Sequence, residues 1–577
     1  MPKGEEFSFK NLFVPLTTKK VIVFIVLIGF IVFGNMLFNG FVLDDKTFIA
    51  SNPELHSLTI SSLFSSSLFN SNGRYLPMTA FYDALVFNLF GRTTFYYHFL
   101  QLSIHICNAV FLFLFFKHFF NKKLSFFLSL IFLVHPLQVE SVSYISSSNN
   151  PLFFILGISA LILNMKESSS FKRLIAIFGL LLLCILTRET GILFLFVILL
   201  YQLFLKKGKK ILFTISTVII SILYSGLLLS FAHILSVKSE AASIAQLTFF
   251  QRLINIPAVI LYYLKALFFP IKLAIDQQWT INNLNFQNFY IPFILDTLFF
   301  LSLITIGIFI FKKNEKAIRA YLFFSLWFIA GLAFHSQIFP LDSTVADRWM
   351  YFPIVGLLGV MGVIINTFTV HKKTKTALYL CGFIILILLS LRTVNRNADW
   401  KDALTLYIHD SKIHTNYDIE NNLGLEYVAI GNYKEAIIHY EKSVDMYPYD
   451  ATISNLAQAY DKIGKKELAR KYYTESITAK YKSSNTRNLV LALAYERLGY
   501  LSIRIDSPEK SVKFIKEALQ LYPNSVNLWF DLAVSENRLG NKAEALNAAG
   551  KMKQLLPTDQ TNYYYNQILN NEKIQLN

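Results

Sequence analysis

Cysteine is almost missing from this chain. Cys107, Cys184 and Cys381 are the only three in 577 residues, and each lies inside an apolar run. The polar C-terminal part has none, so no disulfide framework staples it, and cysteine usage leaves the redox compartment undecided. Charge is scarce too, at 16% of residues against 54% hydrophobic. That balance argues against the several soluble domains the length would allow. A third absence concerns the first apolar run, "VIVFIVLIGFIVFGNMLF" behind Lys19 and Lys20. No small-x-small cleavage site follows it, so it reads as a retained helix rather than a signal peptide.

What is present fills the space these absences leave. Phenylalanine is abundant, and apolar stretches of about 18 residues or more recur to about residue 392, the pattern of membrane-spanning helices. Beyond them the chain turns polar and helix-periodic. The net charge of +17 does not indicate nucleic acid, because the basic residues gather in short loops: Lys117 to Lys123, Lys166 to Arg173, "KKGKK" at 206–210, "KKNEKAIR" at 312–319 and "HKKTK" at 371–375. Such loops mark the cytoplasmic side. Spans starting near 21, 97, 124, 150, 172, 190, 211, 290, 319, 349 and 376 then give about eleven crossings. The run 253–270, with Pro257 inside and Pro270 at its end, is expected to be a hairpin or re-entrant element. Residues 1–20 form a cytoplasmic segment, 21–393 the multi-span domain with its first outer loop at about 40–96, and the C-terminal domain lies on the outer face.

The outer loops hold most of the membrane part's acids, although the positive-inside rule does not require this. In "FNGFVLDDKTFIASNPEL" Asp44 and Asp45 stand side by side just past the first run. A carboxylate costs about 2.5–3.5 kcal/mol at mid-bilayer, a cost that fades at helix ends. Arg74 precedes Pro77. His98 and His105, seven residues apart, share one helix face about 10 Å apart along it. His135 and Glu140 lie at the outer end of the third span, Arg188 and Glu189 at an outer tip, and Asp347 with Arg348 at another outer mouth. Ionisable groups gathered at one membrane boundary usually mark a site or a pathway. Their concentration at one face, rather than at mid-membrane, favours an enzyme over a transporter.

In order along the chain stand the aspartate pair, "RYLP", "FGRTTFYYHFLQLSIH", "HPLQVESVSYI", "TRETG", "DRWMYFP" and "RNADWKDALTLY" ahead of tandem repeats. This succession resembles the transmembrane-and-TPR-containing O-mannosyltransferases and their bacterial relatives, within the GT-C glycosyltransferases that use polyprenyl-phosphate sugars. One departure is "SSSNNP" at 146–151, with Ser148 and Asn150 where such proteins more often carry arginine and aspartate. The resemblance implies catalysis by Asp44 and Asp45, with Asp44 favoured as base. It implies donor-phosphate binding by Arg348, with Arg74 and Arg188 behind it, and a pocket lined by His98, His105, His135, Glu140, Glu189 and Asp347. No cofactor is required on this reading, with a divalent metal as the open alternative. A carboxylate base suits a hydroxyl that loses its proton as it attacks, and arginine suits a departing phosphate.

From about residue 420 the chain repeats with a period of about 34, the length of a tetratricopeptide repeat (TPR). Leu423, Gly424, Tyr427, Ala436, Tyr440 and Pro448 define the first unit. Leu456, Ala457, Tyr460, Ala469 and Tyr473 define the second, with Tyr481 in place of the proline. Leu491, Ala492 and Tyr495 open a third, longer unit, and Leu532, Ala533, Ala545 and Pro557 mark a fourth. The expected fold is all-α: a polytopic GT-C-type membrane domain, a linker and degenerate half repeat at 394–419, a TPR α-solenoid at 420–560 and a tail at 561–577. The expected function is transfer of a sugar from a polyprenyl-phosphate lipid to a hydroxyl, with a protein or peptide acceptor or partner in the TPR groove. Lys-, Asn- and Ile-rich usage fits a bacterial inner membrane with the repeats in the periplasm. The alternative is a non-catalytic membrane-anchored TPR scaffold for envelope protein assembly.

Overall fold

Helix is the regular structure of this protein. The computed structural model describes residues 16–52, 55, 76–166, 170–205, 244–275, 277–368, 372–482, 487–504, 507–570 and 572. Among them the strand-like pairings are two isolated bridges, Gln277 with Val345 and Tyr449 with Tyr481. The chain divides into two units, Met1–His414 and Thr415–Asn577.

In the first unit, Thr18–Phe38, Thr94–Phe116, Ile145–Met165, Phe286–Lys313, Glu315–Phe334 and Thr376–Asp399 are long and apolar enough to cross a bilayer. The pair Lys122–Val134 and Pro136–Ser143, bent by 51°, is long and apolar enough to make a seventh if it is one broken span rather than a re-entrant loop. The protein is thus an integral, multi-pass membrane protein. The expected start at 211 lies outside the described residues; every other expected start falls on a helix. Among the described residues six helices, or seven with the bent pair taken as one span, reach full crossing length, and other apolar helices are shorter. The helices Phe171–Thr187 and Pro353–Thr367 have 17 and 15 residues. At 1.5 Å per residue they reach roughly 22–26 Å, short of a hydrocarbon core of roughly 30 Å.

The structure adds detail at three further places, including 253–270, expected as a hairpin or re-entrant element. Residues 253–270 are not a hairpin: Phe249–Phe268 is one helix with Pro257 inside it, opened by a reciprocal Thr248–Gln251 cap that fixes its first turn. The first outer loop is partly helical, with Asp45–Ala50 in a wide turn and Pro77–Phe90 in a helix whose first residue is the proline favoured there. Residues 394–399 are no linker, because the last long helix runs unbroken to Asp399.

Close helix contact in the first unit depends on glycine. A Cβ at Gly356 would stand 2.4 Å from the Phe328 backbone nitrogen, and one at Gly359 2.0 Å from the Phe324 ring. The helices Glu315–Phe334 and Pro353–Thr367 therefore touch along a small-residue stripe, the way helices associate where lipid removes the hydrophobic drive. Phe115, Phe119, Phe323 and Trp327 fill the adjoining core, with Phe115–Phe119 and Phe323–Trp327 edge to face and Phe119–Phe323 stacked.

The second unit is a stack of helix pairs: Tyr417–Ala429 with Tyr433–Met446, Asp450–Lys462 with Lys466–Thr478, Arg487–Arg504 with Pro508–Leu521, and Val526–Leu539 with Lys542–Leu555. The third unit's extra residues lengthen its first helix to 18 residues against 13 in the two before it. Residues 561–569, expected as tail, belong to a further helix, Asp559–Leu569, whose Ile568 is buried in the core of the last repeat.

Candidate functional site

The chain leaves the first apolar helix through a tightly held turn. Asn39 is buried; its amide donates to the Asn397 carbonyl at 3.0 Å, and its own carbonyl accepts from His98 Nε2 at 3.1 Å. The Gly40 amide donates to the Lys401 carbonyl at 2.9 Å. Leu43 follows with φ +50°, one of two non-glycine residues with positive φ among those described. Such backbone persists only where its surroundings impose it. Past that residue the two carboxylates part. Asp44 is exposed and Asp45 is fully buried. Asp45 Oδ1 accepts from the Ser146 amide at 2.7 Å and the Ser146 hydroxyl at 2.6 Å, and Oδ2 accepts from the Val42 amide at 3.2 Å. Burial pushes its pKa up to about 7 in spite of those bonds.

Residues 146–150 also receive two other ionisable side chains. The Ser148 hydroxyl donates to Asp83 Oδ1 at 3.2 Å. Arg188 donates to the side-chain oxygens of Asn149, at 3.1 Å, and Asn150. Burial, with the charge of Asp45 adding to it, raises Asp83 to about 8. The Thr79 hydroxyl ties the Asp83 helix to the Thr187 carbonyl at 2.8 Å, beside Arg188. Asp83 is absent from the candidates read in the sequence. A single carboxylate inside the apolar "PMTAFYDALVF" was the available signal.

A second group forms around Arg348. Its guanidinium pairs with buried Glu140, its backbone amide donates to Glu140 Oε2 at 3.0 Å, and Asp342 Oδ2 stands 3.7 Å from Nη2. Neighbouring Asp347 accepts from the Tyr262 hydroxyl at 2.7 Å. Burial and the Glu140 charge raise Asp347 to about 8. Tyr144 joins the two groups: its hydroxyl bonds to Asp44, and it lies in the fields of Asp45 and Arg348. No sequence motif singled out Tyr144.

The histidines hold backbone. His105 Nδ1 meets the Tyr351 hydroxyl at 2.8 Å, and Nε2 meets the Leu133 carbonyl at 3.0 Å. His135 sits at the break of the bent crossing, where Nδ1 accepts from the Leu137 amide at 3.2 Å and Nε2 meets the Leu267 carbonyl at 3.0 Å. Glu189 is half-buried in the turn Glu189–Gly191. Arg74 lies outside the described residues. Among those described, no three His, Cys, Asp or Glu side chains are grouped to hold a metal ion. The turn as a whole combines an exposed carboxylate, a tyrosine hydroxyl and a guanidinium. That set can accept a proton and stabilise a nearby anion.

The tetratricopeptide repeat family model matches residues 420–450 and 452–482. "Protein O-mannosyl-transferase TMTC3" of Homo sapiens is 24% identical over 89% of this chain and 65% of its own length. The chain resembles the transmembrane-and-TPR-containing O-mannosyltransferases. "Protein O-mannosyl-transferase F38B6.6" of Caenorhabditis elegans is also 24% identical, over 77% of this chain and 64% of its own. The chain thus spans a little under two thirds of these O-mannosyltransferase relatives. Among solved structures, ArnT from Cupriavidus metallidurans in the apo state is 13% identical, covering 79% of this chain and 80% of its own at a TM-score of 0.37.

Proposed function

We propose that the first unit is a GT-C-type glycosyltransferase that moves a sugar from a polyprenyl-phosphate lipid to an acceptor hydroxyl. Mannose is the sugar named in its relatives. The repeats bind the protein or peptide that carries the hydroxyl, or a partner of it. The site works at the outer face of a bacterial inner membrane, with the repeats in the periplasm. The observation that carries this reading is the division of labour between adjacent carboxylates. Asp45, buried and held by Ser146 and Val42, anchors the turn; Asp44 is exposed beside Tyr144.

In the proposed step the acceptor oxygen attacks the anomeric carbon while its proton passes to the Asp44 carboxylate. The bond from that carbon to the phosphate oxygen breaks, and its electron pair stays on the phosphate. Arg348, with Arg188 and Arg74, stabilises the departing anion. Glu140 and Asp347 orient Arg348 and the wall around it, and His98, His105 and His135 hold the backbone that frames the pocket, with Glu189 at its edge. The step requires no cofactor. The oxygens of Asp45 are already engaged by Val42 and Ser146, which leaves a poor donor set for a divalent ion.

The test is transfer of labelled sugar from a polyprenyl-phosphate donor by the purified chain. Asp44→Asn is expected to lower turnover about 10²- to 10⁴-fold. The pairing of Arg348 with Glu140 favours a second reading, a membrane-anchored repeat scaffold without catalysis. Equal turnover by both proteins, at the level of the protein-free control, would select it.

A further inference from the structure

A cavity of about 440 Å³ lies between the helices Phe249–Phe268 and Ile291–Lys313, away from the aspartate turn. Leu253, Ile256 and Ile260 form one wall, and Phe293 and Phe300 the other. The spacing of the first three puts them on one face of their helix. Most side chains of the second helix point outward, where a membrane protein meets lipid.

One residue in this apolar groove is out of keeping with it. Asp296 lines the cavity and is 6% exposed, and neither carboxylate oxygen has a hydrogen-bond partner among the described residues. Such a group is costly in hydrocarbon until something satisfies it. Pro257 also lines the groove and supplies no amide, so the ordinary helical donor to the Leu253 carbonyl is missing.

We infer that this groove binds a lipid alcohol, its chain along the apolar walls and its hydroxyl on Asp296. The choice of headgroup follows from donor and acceptor counting. A phosphate beside a carboxylate is repelled, and an ammonium satisfies the ionised carboxyl alone. A hydroxyl both donates and accepts, so it satisfies Asp296 in either protonation state. Where Asp296 is protonated and donates to it, the hydroxyl's one proton is left for a carbonyl such as that of Leu253, and the hydroxyl is the cheapest of the three to bring into hydrocarbon. The inference is independent of the sugar-transfer reading, since the groove shares no residue with the aspartate turn.

Three photoactivatable probes with the same sixteen-carbon chain, ending in hydroxyl, primary amine or phosphate, would be offered to the full chain in phosphatidylcholine nanodiscs. Labelled peptides would then be mapped by mass spectrometry. The hydroxyl probe is expected to label 249–268 and 286–313 most strongly. Asp296→Leu is expected to lower that labelling about tenfold, whereas Asp296→Asn, which still hydrogen-bonds, retains most of it. Ile260→Trp narrows the groove without touching the carboxyl and is expected to remove labelling too, so the result does not rest on one variant's folding. Stronger labelling by the amine or phosphate probe overturns the inference. So does labelling that survives both Asp296→Leu and Ile260→Trp.

Discussion

The two units are held together by different means. In the first, polar side chains far apart in sequence meet in the interior: Asn39 reaches the carbonyl of Asn397, 358 residues on, and Arg348 pairs with Glu140, 208 residues back. In the second, the buried polar ties stay within one repeat or between neighbouring repeats, as with His439 and Glu420, 19 residues apart, or Arg487 and Asp450, 37 apart. The solvent explains the contrast. Between helices in lipid there is little hydrophobic drive, so close glycine contacts and buried polar pairs must choose the arrangement. In water, stacking of apolar repeat faces suffices, and each helix needs only its neighbours.

The comparison can be broken first at its strongest polar tie. Arg396 holds buried Asp410 with two bonds of 2.7 and 3.0 Å, and Asp410 also accepts from the Ile275 amide at 2.8 Å. Asp410→Asn keeps the size but leaves a buried guanidinium short of its counter-charge. The expected loss is about 3–5 kcal/mol, read as a lower melting temperature of the whole chain. Burial pushes Asp410 up, but the charge of Arg396 and the hydrogen bonds of His409 and Arg396 outweigh it and hold the pKa below its ordinary value. Its stabilisation is therefore present above about pH 4 and lost as pH falls further. In the repeats the equivalent cut is apolar. Leu456→Ala at a fully buried position is expected to cost about 2–5 kcal/mol. Hydrogen exchange should accelerate across 433–478 and stay nearly unchanged in 526–569, because stability passes only between neighbouring repeats.

The same contrast governs what could be read in advance. A repeat writes its packing partners within one period, so Gly424 and Tyr440 could be paired from spacing alone; a Cβ at Gly424 would stand 2.4 Å from the Tyr440 ring. Apolar runs likewise located the membrane helices. The partners of Glu140, Asp83 and Arg188 could not be read this way, because contacts across tens or hundreds of residues leave no local pattern. Nor could the parting of Asp44 from Asp45, because Asp45 is held inside by Ser146, 101 residues on. His98 and His105 were legible as sharing one helix face and His135 as lying at the end of a span, but none as a holder of the carbonyls of Asn39, Leu133 and Leu267.

A subtler cut separates two buried acids of the first unit by sign. Asp83 is raised to about 8 by burial, so the folded state holds its proton where the unfolded chain has released it. Its contribution is fully present below about pH 4 and is lost as pH rises toward 8. Asp410 behaves in the opposite way. Asp83→Asn should therefore flatten the fall in melting temperature between pH 5 and 8, whereas Asp410→Asn should leave that slope nearly as it was. Equal slopes in the parent and in Asp83→Asn would mean that Asp83 is ionised in the folded protein, and its place beside Asp45 would need another explanation.

The smallest effect sharpens the comparison from the water side. Arg470 Nη2 lies 3.1 Å from Glu467 Oε2 on a repeat helix, with side chains 45% and 70% exposed. The separation is close to the longer, 3.0 Å bond of the buried Arg396–Asp410 pair, yet water screens both charges and holding two long side chains costs entropy. Arg470→Ala is expected to change stability by no more than about 0.5 kcal/mol, measured by thermal melting at low and moderate salt. A loss near that of Asp410→Asn would mean that polar pairing organises the repeats as it does the membrane unit. A negligible change at both salt concentrations would show that burial, and not the presence of an ion pair, divides the two halves of the chain.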